Sequence, residues 1–312
     1  MSHAEMPGVG KGGETQRLSG VIAAIATPIT RTGEPDADRF VDLAKHLLSH
    51  GCDGLNVLGT TGEATSFTQE QRMSLMSAIA RAGLPLHRLM VGTGAAAIGD
   101  ALRLTRHAAE LGFAGALVLP PFYFKGVPDS GIIRYIEALV QETQSRPIPI
   151  YLYHFPAMSG VPYSVSLVQR LRSAFGDRIA GLKDSSGDLD YARSVAALSS
   201  NLNVFPSNEA TLIEGRAGVF AGCISATANL NADLCARAFH AGDEESLATA
   251  VAIRKIFDGR PLVAGVKAVL AHIHRDPALS ALLPPLVEYA EAERHSVVRA
   301  YEDYRSSGHH AL

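Results

Sequence analysis

The stretch IAGLKDSSGDL, residues 179–189, contains the pattern that decides the fold: a short apolar run, a polar turn and the start of a helix-like segment. Seven further apolar runs occur at intervals of about 20–35 residues. They are GVIAAIATP (20–28), GLNVLGT (54–60), RLMVGTG (88–94), GALVLPP (115–121), IPIYLYHFP (148–156), NVFPSN (203–208) and GCISATAN (222–229). Short, nearly continuous apolar runs of this kind indicate parallel strands that are buried on both faces.

The segments between these runs carry apolar residues three and four apart, which predicts amphipathic helices. Three clear examples, each ending at a glycine that is typical of a helix C-terminus, are residues 36–51, 68–83 and 98–112. Eight alternating strand and helix units predict an α/β fold of the (β/α)8 TIM-barrel type.

After the eighth unit only helical patterns remain, and they cover 230–242, 243–258, 262–274 and 284–305. We therefore expect a barrel over 18–230 and a C-terminal helical region over 231–312. The Gly-rich polar start of the chain predicts a flexible N-terminal arm over 1–17.

The main alternative is an open, doubly wound sheet that binds a dinucleotide. Such a sheet usually carries a Gly-rich phosphate loop after its first strand. Here the first strand is followed by ATPIT (26–30), and VGTGAAAIG (91–99) is only a weak echo of that loop. The barrel is therefore the preferred fold.

Composition excludes several classes of function. The 312 residues are 47% hydrophobic with a net charge of −3, which argues against nucleic-acid and anionic-membrane partners. No apolar run is long enough to span a bilayer, and the start of the chain lacks a signal-peptide pattern. Three cysteines without metal-ligand spacing, and His272-x-His274 in the helical region, predict a cytoplasmic protein without a metal site.

Lys183 is the leading catalytic candidate because it ends the apolar run IAGLK. Burial disfavours the charged form of an amine, and a neutral lysine can attack a ketone to form a Schiff base. The alternative is a structural lysine that closes a salt bridge. The neighbouring Asp184 should face the opposite side of its strand, toward the helices.

Other polar groups follow the predicted strands, at the barrel end where active sites lie. In GTTGEAT (59–65), Thr60 and Thr61 offer hydroxyl and backbone N–H groups that suit a carboxylate, although an ordinary turn would look similar. Tyr153 could relay protons beside the lysine, or merely fill space. The candidate ligands for substrate hydroxyl groups are Ser185, Ser207, Asn208 and Ser225.

With these residues assembled, the chain resembles the dihydrodipicolinate synthase / N-acetylneuraminate lyase family of pyruvate-dependent class I aldolases. The resemblance covers about residues 18–300. It rests on GTTGE (59–63), YLYHFP (151–156) and GLKDSSGD (181–188), which occur in order at the expected strand ends.

The resemblance implies a role for each matching residue. Lys183 would form the Schiff base with the C2 ketone of pyruvate or of another 2-oxo acid. Tyr153 would be the general acid and base. Thr60 and Tyr123 would complete a proton relay, with Tyr123 supplied by a neighbouring subunit.

The resemblance also implies the remaining contacts and the assembly. Thr61 would bind the pyruvate carboxylate, and Ile224 would add a backbone contact. The family is typically homotetrameric, and its chemistry needs neither a metal nor a cofactor. The expected partners are therefore small molecules, namely pyruvate and an aldehyde or 2-oxo sugar acid.

Departures from the family pattern bear on the substrate. Met158 stands where the synthase branch carries an arginine, and Ala64, Gln69 and Phe122 alter the positions that bind feedback lysine there. Asn208 and Ala226 replace an acidic residue and a serine of the neuraminate lyases. These residues favour a 2-keto-3-deoxy sugar acid aldolase. The open alternatives are the synthase, the lyase, a 4-hydroxy-2-oxoglutarate aldolase, a 2-keto-3-deoxy acid dehydratase and a non-enzymatic 2-oxo acid sensor.

Overall fold

Eight parallel strands form a single curved sheet in the computed structural model, which describes residues 17–307. The strands are β1 (Gly20–Ala24), β2 (Gly54–Val57), β3 (Leu89–Gly92), β4 (Gly115–Val118), β5 (Ile150–His154), β6 (Ile179–Asp184), β7 (Asn203–Pro206) and β8 (Gly222–Ser225). Their order is β7-β6-β5-β4-β3-β2-β1-β8. The open edge is drawn together by a backbone hydrogen bond of 2.9 Å from Ala221 N to Val204 O. The predicted (β/α)8 barrel is confirmed.

Helices follow each strand and cover the outside of the barrel. They are α1 (Ala37–Ser49), α2 (Gln69–Arg81), α3 (Ile98–Leu111), α4 (Asp129–Glu142), α5 (Pro156–Ser159), α6 (Val165–Phe175), α7 (Leu189–Ala196), α8 (Leu212–Arg216), α9 (Ala228–Ala236), α10 (Glu244–Lys255), α11 (Leu262–Ile273) and α12 (Glu291–Ser307). Local sequence sets their ends: Thr68 and Gln71 form a capping box at the start of α2, and Gly112 ends α3 with φ of 89°.

Side chains alternate between the barrel interior and the layer under the helices, as a strand period of two requires. The interior holds a small apolar cluster that includes Ile22, Met90, Tyr151 and Phe205. A Cβ at Gly181 would lie 2.7 Å from the Tyr151 ring, so glycine lets this large ring fit inside the barrel. Lys183, two residues further along β6, therefore points to the interior as well.

The C-terminal region is helical, but its last helix is shorter than predicted. The pattern predicts a helix over 284–305, whereas α12 begins at Glu291. Pro284 and Pro285 lack backbone N–H donors, so they do not continue a helical hydrogen-bond ladder. Helix α9, which leads into this region, is held against β1 by Asn229, whose side chain accepts a hydrogen bond from Ala26 N and donates one to Ala24 O.

Three further sequence predictions concern the N-terminal arm, membrane spans and the cysteines. The predicted arm 1–17 lies outside the described residues except for Arg17. Within residues 17–307, no helix is long and apolar enough to cross a membrane. The thiols of Cys52, Cys223 and Cys235 are buried and free of disulfides.

Candidate active site

Lys183 and Tyr153 face each other on neighbouring strands inside the barrel. Parallel pairing of β5 with β6 places them in register. Lys183 Nζ donates a hydrogen bond of 3.1 Å to the phenolic oxygen of Tyr153 and lies 4.2 Å from its ring centroid. Each residue is only 4% exposed. The strand end thus holds an amine and a phenol in direct contact, with little access to water.

Thr60 extends this pair to a chain of three polar groups. Its hydroxyl lies 3.1 Å from the Tyr153 phenol. Burial would raise the pKa of Tyr153, but the Lys183 ammonium and hydrogen bonds from Thr60, Ser185 and Lys183 outweigh it and lower the pKa. The phenol therefore gives up its proton more readily than a free tyrosine does, which suits a group that exchanges protons.

The turn that presents Thr60 has a constrained backbone. Glu63 N donates to Thr60 O at 3.0 Å, and Ala64 N donates to Gly59 O at 3.2 Å. Leu58 and Glu63 both adopt positive φ values, 52° and 53°. Because side-chain-bearing residues seldom occupy this left-handed region, surrounding contacts must hold the turn in place.

Thr61 lies on the buried side of the turn, with 5% of its surface exposed. The turn is fixed against the end of β1, where the Thr27 hydroxyl donates to Gly62 O at 2.9 Å. A Cβ at Gly62 would lie 3.0 Å from that hydroxyl oxygen and 3.1 Å from Ile25 O. The second glycine of GTTGE therefore permits the close approach of the two strand ends.

A buried ion pair, which the sequence analysis did not anticipate, lies behind the turn. Lys267 Nζ on α11 contacts Glu63 Oε1 at 2.6 Å and Thr27 O at 3.0 Å. Leu283 N donates to Glu63 Oε2 at 2.9 Å. Burial lowers the pKa of Lys267, and the Glu63 carboxylate opposes this effect. The only sequence signal was one lysine in the apolar helix LVAGVKAVLAHI.

Two predicted hydroxyl ligands meet next to the lysine. The Ser185 and Ser207 hydroxyl oxygens are 2.7 Å apart at the ends of β6 and β7. Asn208 follows Ser207, and its side-chain oxygen accepts a hydrogen bond of 3.0 Å from Ala210 N. The three residues are half-buried, so they combine a fixed position with access to solvent.

Ser225 lies apart from this group. Its hydroxyl donates to the buried carboxylate of Glu209 at 2.6 Å, and Thr227 and Arg254 contact the same carboxylate. Ile224, which precedes it on β8, faces the barrel interior and is fully buried. The ends of β7 and β8 are therefore joined by the buried carboxylate of Glu209.

Comparison with known proteins identifies the family and the architecture. The Dihydrodipicolinate synthetase family matches residues 17–303. The chain belongs to this family. An uncharacterized DapA-like lyase of Chloroflexus aurantiacus is 31% identical over 293 residues, which cover 91% of this chain and 96% of the relative. The protein is thus an enzyme of the lyase class, consistent with class I aldolase chemistry.

Solved structures agree. Dihydrodipicolinate synthase from Agrobacterium tumefaciens superposes with a TM-score of 0.86 at 28% identity and covers 91% of this chain and 99% of its own. N-acetylneuraminate lyase from Proteus mirabilis has a TM-score of 0.82 at 25% identity and covers 93% and 99%. Two branches with different named activities therefore resemble this family member closely.

The remaining predicted relay residue, Tyr123, lies on the surface of the single chain. It is 75% exposed, and its ring packs edge-on against Phe124, which is 70% exposed. Met158 on the short helix α5 is also exposed. Within residues 17–307, Tyr123 makes no hydrogen bond with Thr60, and its predicted role in the relay stays a prediction.

The other side of β5 and β6 carries polar residues that face the helices. Asp184 accepts a hydrogen bond of 3.0 Å from Ser186 N, and burial raises the pKa of Asp184. His154 Nδ1 accepts from Tyr163 N at 3.1 Å, and its ring stacks on Tyr191 of α7. Burial lowers the pKa of His154 to about 4. These groups belong to the layer behind the site.

Proposed function

We propose that this enzyme is a class I aldolase in which Lys183 forms a Schiff base with the C2 carbonyl of pyruvate or of a 2-oxo acid. The observation that carries the proposal is the continuous contact Lys183 Nζ–Tyr153 Oη–Thr60 Oγ1, with both distances 3.1 Å. A nucleophilic amine needs a partner that accepts and returns protons, and a phenol with a lowered pKa suits that role.

The steps follow from this arrangement. The neutral Lys183 amine attacks C2, and Tyr153 donates the proton with which the C2 oxygen leaves as water, so a protonated imine and a Tyr153 phenolate remain. That imine withdraws the electron pair of the C3–C4 bond, so an enamine forms while Tyr153 accepts the proton of the C4 hydroxyl and an aldehyde departs. A proton then adds to C3, and hydrolysis of the imine releases pyruvate and restores the lysine.

The proposed substrate contacts lie on both sides of the lysine. Thr61 and its backbone N–H would hold the substrate carboxylate, with Ile224 adding a backbone contact. Ser185, Ser207 and Asn208 would bind the hydroxyl groups of the chain beyond C4. Because Ser225 already donates its proton to Glu209, we omit it from these contacts.

We infer that the substrate is a 2-keto-3-deoxy sugar acid. Neighbouring hydroxyl groups at Ser185 and Ser207, 2.7 Å apart, suit a polyhydroxylated chain. Met158, 65% exposed on α5, gives no positive charge for the second carboxylate that aspartate semialdehyde would bring. An apolar side chain cannot replace a guanidinium in holding a carboxylate.

We further propose a cytoplasmic homotetramer in which Tyr123 of one subunit reaches Thr60 of another. Exposed aromatic groups at the mouth of a site are typical of surfaces that a partner covers. Tyr123 and Phe124, 75% and 70% exposed in the single chain, fit such a surface. A second copy of the chain would thus complete the relay.

Reductive trapping tests the chemistry directly. The protein is treated with pyruvate and sodium borohydride, and the adduct is located by intact mass and peptide mapping. We expect one pyruvyl adduct, on Lys183, and none in Lys183→Met. No adduct on folded wild-type protein would overturn the aldolase proposal and favour the 2-oxo acid sensor.

A substrate panel then tests the finer proposal. Pyruvate release is measured with 2-keto-3-deoxy sugar acids, N-acetylneuraminate and 4-hydroxy-2-oxoglutarate, and pyruvate consumption is measured with aspartate semialdehyde. We expect the highest kcat/KM for a 2-keto-3-deoxy sugar acid. Water loss without C–C cleavage would indicate the dehydratase instead, and preference for another substrate would assign the protein to that branch.

A further inference from the structure

The buried ion pair of Glu63 and Lys267 joins the ends of two strands to the C-terminal region. Lys267 Nζ donates both to the Glu63 carboxylate, at 2.6 Å, and to Thr27 O, at 3.0 Å. Glu63 also accepts from Leu283 N at 2.9 Å. The side chains of Glu63 and Lys267 are 0% and 1% exposed. One ammonium therefore connects the residues that follow β1 and β2 from behind.

The ion pair is only a few backbone atoms from the proposed substrate contacts. Glu63 is the last residue of GTTGE, and its N–H closes the turn on Thr60 O at 3.0 Å. Its φ of 53° is a conformation that persists only where surrounding contacts hold it. A shift of Glu63 would therefore move Thr60 away from the Tyr153 phenol and change the direction of the Thr61 N–H.

Charge adds a second effect. With Lys267 present, the buried carboxylate of Glu63 is neutralised within its own contact. Without it, the carboxylate would be an uncompensated negative charge in a region of low dielectric. The turn in front of it is where the carboxylate of the 2-oxo acid is proposed to bind, and two like charges repel.

We propose that Lys267 is a positioning residue of the active site, which acts through Glu63 to hold Thr60 and Thr61 in the geometry that captures the substrate carboxylate. The inference rests on the proposed function, because it assumes that a 2-oxo acid binds at this turn. In this proposal the C-terminal helix α11 contributes to substrate capture without contacting the substrate.

The test is the pyruvate concentration that gives half-maximal borohydride trapping at Lys183. We expect Lys267→Met to raise it by about tenfold or more, since a misplaced contact group alone can cost that much. In Glu63→Gln/Lys267→Met no buried charge remains, yet the bridge to Thr27 is still lost. We expect that double variant to show a smaller rise, of about threefold.

Tyr301→Phe is the matched control. It removes a buried hydrogen bond of 3.1 Å to Leu230 O in the same C-terminal region, without touching the turn. We expect it to lower the melting temperature while the half-maximal pyruvate concentration stays at the wild-type value. A rise in that concentration for Tyr301→Phe as well would mean that general destabilisation explains the effect, and would overturn the proposal.

The outcomes separate this inference from the proposed function. If wild-type protein forms no adduct, the proposed function fails, and the inference fails with it. If wild-type protein is trapped and the folded Lys267→Met variant titrates like it, only the positioning role is overturned. If Lys267→Met does not fold, the double variant Glu63→Gln/Lys267→Met provides the test. A wild-type half-maximal pyruvate concentration in that variant would overturn the positioning role.

Discussion

Two lysines are buried among residues 17–307, and their surroundings differ in one respect. Lys183 on β6 and Lys267 on α11 are 4% and 1% exposed. Lys267 has a carboxylate partner at 2.6 Å and a carbonyl partner at 3.0 Å. Lys183 has only the phenol of Tyr153, at 3.1 Å. The two amines are therefore similarly buried but have different hydrogen-bond partners.

The difference lies in what compensates the charge. A carboxylate in direct contact favours the ammonium form, which cannot attack a carbonyl. A phenol can take the proton and leave a neutral nucleophile. Burial alone thus does not identify a catalytic lysine, whereas burial without a carboxylate partner, inside the barrel at the carboxyl end of a strand, favours that role.

The largest expected effect tests this comparison directly. Lys183→Met, which nearly preserves volume, should reduce turnover to background and abolish the borohydride adduct, because the other buried amine in the described part of the chain, Lys267, is paired with a carboxylate. Lys267→Met should still give an adduct on Lys183 at saturating pyruvate. Peptide mapping of both variants is the measurement, and an adduct on Lys267 in Lys183→Met would contradict the distinction.

The second prediction concerns Tyr153, the hydrogen-bond partner of Lys183. Tyr153→Phe should lower kcat by about 10²–10⁴-fold, the range typical of general acid–base groups. Trapping at saturating pyruvate should change less, because the amine remains. Steady-state rates and trapping yields measure the two effects. Tyr151→Phe, on the same face of β5, is the control, and an equal loss of kcat there would indicate a packing role for both rings.

The loss of stability should be larger for Lys267→Met than for Lys183→Met, the reverse of their effects on activity. Lys267→Met leaves Glu63 buried and unpaired, and breaking a buried pair in this way costs about 3–5 kcal/mol. Lys183→Met leaves no unpaired charge behind. It should change the free energy of unfolding by about 1.5 kcal/mol at most, as volume-conserving swaps usually do. Urea unfolding of both variants measures this, and equal losses would contradict the comparison.

The sequence predicted the barrel and the position of Lys183 at the end of a buried strand because both depend on local pattern. Strand period and apolar runs place the eight strands, and the position of Lys183 at a strand end follows from them. Tyr153 follows too, since equivalent positions of neighbouring parallel strands share the barrel interior. These features need no knowledge of which distant segments meet.

The ion pair and the orientation of Ser225 could not be predicted in the same way. Glu63 and Lys267 are 204 positions apart, and they meet only because α11 packs beneath the ends of β1 and β2. Ser225 was interpreted as a ligand from its place at a strand end. The residue before it, Ile224, faces the interior, so alternation turns Ser225 toward Glu209 instead.

The smallest predicted effect concerns His154, a buried base in the layer behind the site. Burial lowers its pKa to about 4 from the ordinary 6.5, with the charge of Asp188 opposing the shift. Between these two values the unfolded chain binds a proton that the folded chain does not. The contribution of His154 to stability is therefore fully present above about pH 6.5 and is lost as the pH falls toward 4.

Removing the imidazole should remove this part of the pH dependence. His154→Asn retains an acceptor for Tyr163 N but cannot be protonated in this range, so its free energy of unfolding should vary less between pH 6.5 and 4 than that of the wild type. Urea titrations across that window measure the slope, with the exposed His295→Asn as control. An unchanged slope in His154→Asn would mean that His154 is charged in the folded protein.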